Sequence, residues 1–273
     1  MKRLLLYAVA FSLAGCSQIS IAYRFADLAI EREFNKFFEL SDAQDEELSE
    51  FADTYMVWHR GTMLRQYREL LSEEAKIHRE GRFSRATFDV TRAKAQLLYE
   101  RTLRPMLPQI TTFLVNQSPS QLSAFEKKMR ERSKEYREKA KERTPEKGLE
   151  QIESTLSDFI GELTGEQRTI IKEKIKPFFS QGTAWIDERD RRADELLTRV
   201  RKKDRAAVKQ YITAWWLKPL TISPPDYAER SQKNLDRVDD LIYEVLAAMT
   251  PEQRNTFIET LDGYAEDIGD LTS

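Results

Sequence analysis

Apolar side chains in this chain recur at gaps of three and four, and that spacing admits one kind of regular structure. Leu149, Ile152, Leu156, Phe159, Ile160 and Leu163 form one stripe; Leu235, Val238, Leu241, Ile242, Val245 and Leu246 form another. A period near 3.6 puts every member of a stripe on one helix face, whereas a half-buried strand alternates at two. Similar stripes run through Phe51, Tyr55, Trp58, Leu64, Tyr67, Leu70 and Leu71, and through Ile170, Ile171, Ile175, Phe178, Phe179, Trp185 and Ile186. No run of period two competes with them. Only nine Gly and nine Pro interrupt 273 residues, of which 33% are charged, a composition that favours helix. The expectation is an all-α fold, an elongated bundle of long antiparallel helices, about eight or nine in number.

Breaks fall at Glu80-Gly81-Arg82, at Pro105 and Pro108, at Thr144-Pro145, and from Lys218 to Asp226 with Pro219, Pro224 and Pro225. The last is the best linker or hinge, since proline removes a helix donor and restrains the residue before it.

One local motif recurs four times. Ser41 with Gln44, Ser118 with Gln121, Thr164 with Gln167 and Thr250 with Gln253 each set a hydroxyl three residues before a glutamine. This is the capping-box arrangement, in which the hydroxyl accepts from a first-turn amide and the glutamine reaches back to the cap amide. An apolar residue follows each glutamine by four, at Leu48, Phe125, Ile171 and Phe257. The copies lie 77, 46 and 86 residues apart, too irregular for a short-period solenoid. They suggest two halves instead, 40–162 and 163–273, each with a tryptophan (Trp58, Trp185) and a double leucine (Leu70-Leu71, Leu196-Leu197). An internal duplication would account for them, and so would capping alone.

The amino terminus carries a second message. Lys2 and Arg3 precede an apolar run from Leu4 to Ala14 that is too short to span a bilayer. The run ends in Leu13-Ala14-Gly15-Cys16, which resembles the bacterial lipobox. That resemblance implies a signal peptide over 1–15, a diacylglycerol on Cys16, and a lipidated amino-terminal segment with an aromatic helix over 16–39. Cys16 is the sole cysteine, so it has no intramolecular disulfide partner. Ser17, where enteric-type sorting uses Asp for inner-membrane retention, favours the outer membrane. No later stretch approaches 18 apolar residues, which leaves the lipid as the anchor. Without residues 1–15 the chain has 42 basic and 46 acidic residues, a formal charge of −4, and nothing global points to nucleic acid.

Two family resemblances bear on function. The Leu-Thr-x-x-Gln helix starts resemble those of small periplasmic stress chaperones of the Spy and CpxP type, which implies a helical surface that holds unfolded clients. The chain is much longer than those chaperones, and Gln117 stands where Leu or Met is expected. The lipobox, the aromatics Tyr23, Phe25, Phe34, Phe37 and Phe38, the Leu-Ser-x-x-Gln start, and a helix with Trp58-His59 and Tyr67-Arg68-Glu69-Leu70-Leu71 together resemble a bacterial lipoprotein family of unknown function. That likeness covers most of the chain and implies architecture, not an activity.

Other features point to surfaces more than to chemistry. Residues 126–147 hold ten basic and six acidic side chains, read as a solvated helix supported by pairs such as Lys127 with Glu131, Lys134 with Glu138 and Glu135 with Lys139. Trp215 and Trp216 point about 100 degrees apart on a helix, so one of them is a candidate binding anchor. His59 and His78 are the only histidines and lack metal-site spacing. No nucleophile elbow or phosphate loop occurs, and neither a metal nor a cofactor is implied. The resulting expectation is a non-catalytic binding or chaperone-like scaffold, lipid-anchored in the envelope, with envelope or unfolded proteins as partners. The alternatives are a cell-wall glycan hydrolase, whose carboxylates would converge only in the fold, and a structural spacer.

Overall fold

A computed structural model describes residue 23 and residues 26–142, 144–176 and 182–272. Cys16 and the signal segment, Phe25, Phe178 and Phe179 lie outside the described residues. Every regular element among those described is helical. In order these are α1 (Ala26–Asn35), α2 (Asp42–Arg79), α3 (Arg85–Leu103), a 3-10 turn (Arg104–Met106), α4 (Leu107–Val115), α5 (Pro119–Lys141) and α6 (Pro145–Ile160). There follow α7 (Gly165–Ile175), α8 (Ala184–Arg201), α9 (Arg205–Leu217), a second 3-10 turn (Pro219–Ile222), α10 (Pro225–Ala247) and α11 (Pro251–Thr272). The all-α expectation holds, with more and shorter helices than the stripes alone suggest.

Local chemistry fixes the boundaries. The side chains of Ser41, Ser84, Ser118, Thr144, Thr164 and Asp204 each accept the backbone amide three residues on, satisfying donors that have no intrahelical partner. Gly81 ends α2 at φ +66°, in the left-handed region; its amide donates to His78 and that of Arg82 to Ile77. A Cβ would disfavour that conformation. All four expected breaks coincide with helix ends.

The segment from Lys218 to Asp226 is not a free hinge. Arg191 of α8 donates to the carbonyl oxygen of Ile222 at 2.5 Å, and Arg192 donates to the Ser223 hydroxyl at 2.6 Å. These bonds clamp the 3-10 turn, so the prolines shape an ordered corner.

Two apolar cores form. One joins Phe38 to α4, the start of α5, the end of α8 and α9, through Leu114, Phe125, Leu197, Val200, Val208 and Ile212. The other joins Ala75 at the end of α2 to Ile160, Leu163, α7, α10 and α11, through Ile171, Val245, Phe257 and Leu261. Each core therefore draws on both sides of residue 163. The long helix α2, about 57 Å at 1.5 Å per residue, packs antiparallel on the last helix, α11, with Arg79 bonded to Asp262 at 2.5 Å. In the same crossed sense α8 packs on α5, and Arg85 of α3 pairs with Asp240 of α10 at 2.6 Å.

Candidate functional site

The four cap motifs do more than start helices, because the fold brings them together in two pairs. In one pair the Gln167 amide nitrogen donates to the Gln253 side-chain oxygen at 3.0 Å, and the Gln253 nitrogen donates back at 2.9 Å. Gln253 also donates to the carbonyl oxygen of Glu162 and Gln167 to that of Ala248, each two residues before the other's cap. In the second pair Gln121 donates to the Gln44 side chain at 2.6 Å and to the carbonyl oxygen of Glu39, again two residues before the cap. Both glutamines of the first pair are buried, Gln167 completely; Gln44 and Gln121 are half-buried. All four boxes close on their own hydroxyls as well.

The apolar residues four beyond each glutamine, Leu48, Phe125, Ile171 and Phe257, are buried. Gln117, at the position that Leu163 and Met249 fill in the other pair, is fully buried too. Its amide donates to the carbonyl oxygen of Phe113, its carbonyl accepts from Lys203, and its side-chain oxygen has no partner among the described residues. Lys203, at φ 56°, also reaches the carbonyl oxygen of Val115 and so closes the end of α4. The motif residues thus lock helix starts to one another across the interior.

A second polar cluster surrounds His59. Its Nδ1 lies 3.0 Å from the Tyr23 hydroxyl, its Nε2 faces the Tyr67 hydroxyl at 3.5 Å, and Tyr67 is bonded to Thr102. Tyr55 donates to the Thr102 carbonyl oxygen at 3.0 Å, and Arg60 sits over the Tyr23 ring. Burial lowers the imidazole from 6.5 to about 4 and raises the phenols of Tyr23, Tyr55 and Tyr67. The ring is therefore neutral at pH 7, a hydrogen-bonding group and not a poised general base. Tyr55 and His59, four apart, shared a helix face in the sequence, but Tyr23 and Thr102 join them only in the fold. His78 is a satisfied interior histidine, bonded to Glu74 at 3.2 Å and stacked on Phe83.

Trp215 and Trp216 both pack partly buried against the first core, Trp215 against Tyr211, while the Trp216 carbonyl accepts from Tyr99. Neither is fully exposed. On α5 the expected pairs of Lys127, Lys134 and Lys139 are absent from the ion pairs among the described residues. Glu126 instead takes Arg130 and Arg201, Glu138 takes Lys141, and Arg137 bridges to Asp187 and Asp190 of α8. Arg137 and Glu126 thus tie α5 to α8, while Glu126–Arg130 and Glu138–Lys141 stay within α5. Glu188, also on α8, is buried, which would raise its carboxyl, yet Arg191, Ser223 and Arg192 hold it below the usual range.

Among the described residues no group of three or more His, Cys, Asp or Glu side chains is placed to hold a metal, and no helix is long and apolar enough to cross a membrane. No curated protein and no solved structure gives a significant match. A family of unknown function, DUF6279, matches residues 36–228, from the approach to the first cap through the clamped corner. That span covers most of the chain, both members of the Gln44–Gln121 pair and the His59 cluster apart from Tyr23, so the protein belongs to the DUF6279 family.

Proposed function

We propose that the protein is a lipid-anchored helical scaffold of the bacterial envelope, held at the outer membrane by Cys16 and binding other envelope proteins, unfolded ones among them, without catalysing a reaction. The observation that carries the anchor is Leu13-Ala14-Gly15-Cys16 after a short apolar run. Binding by the charged exterior is supported by where polar chemistry is spent: the glutamines and Glu188 are consumed inside. Lys127, Lys134 and Lys139 of α5, by contrast, face solvent or its margin without a carboxylate partner among the described residues. The test is photocrosslinking in cells from position 134, alongside fatty-acid labelling of wild type and Cys16→Ser. Labelled protein with discrete crosslinked envelope proteins supports the reading. A labelled body that crosslinks to nothing and does not suppress aggregation of envelope proteins defeats the binding role.

We also propose an internal duplication with exchanged halves. Helix α2 followed by α3, a proline-containing 3-10 turn, α4 and α5 has its counterpart in α7 and α8 followed by α9, the second 3-10 turn, α10 and α11. The crossed contacts α2 on α11 and α8 on α5 support this reading, as do the matching glutamine bonds two residues ahead of a cap.

A further inference from the structure

We propose that the exposed face of α2 from Val57 to Arg68 lies on the phospholipid headgroups of the leaflet that holds the anchor; this rests on the lipid-anchored reading. Tyr23 is fixed to the middle of α2 by its hydrogen bond to His59 and by Arg60 over its ring. Seven residue steps separate it from Cys16, and a fully extended chain of that length spans at most about 25 Å. Whatever path those residues take, an acylated Cys16 keeps this part of α2 near the bilayer surface.

What the helix offers there fits that surface. Val57 is 74% exposed, the most exposed of the large apolar residues among those described. Arg60, Gly61, Arg65 and Arg68 are exposed along with it. None of the three arginines has a carboxylate partner among the described residues, whereas Lys76 and Arg79, farther along the same helix, are both ion-paired. Nothing approaches the position a Cβ would take on Gly61, so the backbone between Val57 and Arg65 is open to a flat surface. The charge reverses toward the start of the helix, where Asp42, Asp45, Glu46, Glu47, Glu50 and Asp53 are exposed. Anionic headgroups attract the arginine end and repel the acidic end. The tether supplies a high local concentration of membrane that makes a few such contacts sufficient. A protein partner is disfavoured by the tether, which allows about 25 Å at most between Cys16 and Tyr23.

The test uses the full acylated chain in vesicles of phosphatidylethanolamine and phosphatidylglycerol. With Cys16 acylated, V57C or L97C supplies the one free thiol for an environment-sensitive fluorophore; Leu97, on α3, is the exposed control. Lipids with spin-labelled headgroups should quench the label at 57 several-fold more than at 97. The R60Q/R65Q/R68Q triple variant, or vesicles without phosphatidylglycerol, should cut quenching at 57 by half or more while helicity is unchanged. An acylated chain quenched equally at both positions, or not at 57, overturns the membrane-facing surface and leaves the anchor standing. A chain that carries no fatty acid overturns both.

Discussion

Gln167 and Gln253, 86 residues apart, exchange side-chain hydrogen bonds in both directions within the interior, and each also reaches the backbone just ahead of the other's helix. Replacing one strands a buried amide. Gln167→Leu and Gln253→Leu should each destabilise the protein by about 1–3 kcal/mol, and the double variant should cost less than the sum. Urea unfolding of the three variants measures this, and additive losses would refute the reciprocal bond. The half-buried Gln44 and Gln121 should show smaller effects.

Lys203 combines an unfavourable backbone conformation at φ 56° with a capping role through its ammonium group. Lys203→Gly should relieve the first and lose the second, while Lys203→Ala loses the cap and keeps the strain. Alanine should therefore be the worse of the two by about 1–2 kcal/mol. Equal stabilities would mean the backbone is not strained there.

Acid acts on His59. Its folded value of about 4 lies below the ordinary 6.5, so the unfolded chain takes up the proton first. The contribution is complete above pH 6.5 and is lost as pH falls through 4, by at most about 3–4 kcal/mol before solvent screening of this partly exposed ring. His59→Gln should flatten the stability profile across that window. An unchanged slope in the variant assigns the acid sensitivity elsewhere.

Asp267 has the opposite sign. It is buried near the end of α11, one of its oxygens has no partner among the described residues, and burial, Asp270 and Glu266 raise its carboxyl. Its contribution is present below the unfolded value of 3.8 and is lost as pH rises through the folded one. Asp267→Asn should raise the melting temperature at pH 7 by about 2–4 °C, with little change at pH 3. A lower melting temperature at pH 7 would mean the carboxylate is bonded after all.

The exchanged halves predict complementation. A cut between Glu142 and Thr144 divides the first core nearly in half, parts α2 from α11 and α5 from α8, and takes Ala75 from the second core. The two pieces should be unstable separately and should form a one-to-one helical complex when produced together. Pieces that fold independently as monomers would contradict the exchange.

Helix content, the breaks and the burial of the residues after each cap were legible because they depend on local spacing and local donors. Ser41, Ser118, Thr164 and Thr250 announced themselves by a hydroxyl and an amide three residues apart. That Gln167 would meet Gln253, or Gln44 meet Gln121, was not legible, since capping uses up the motif's local meaning and says nothing of distance. The Lys218–Asp226 corner was misread for a similar reason: proline marks the bend, but the arginines that hold it sit some thirty residues earlier on α8. His59 looked isolated because Tyr23 reaches it from ahead of α1, while Tyr67, eight residues along α2, is held beside it by Thr102 of α3.

The antiparallel packing of α2 on α11 also sets a clock. The first long helix has its main partner far along the chain, 183 residues on at the Arg79–Asp262 pair, and Ala75 waits for Phe257 and Leu261 to enclose it. Synthesis from the amino terminus therefore leaves the second core open until α11 emerges, unlike a chain of locally closed units. A ribosome or a membrane pore would deliver everything from Ala75 to Leu261 before that core could shut.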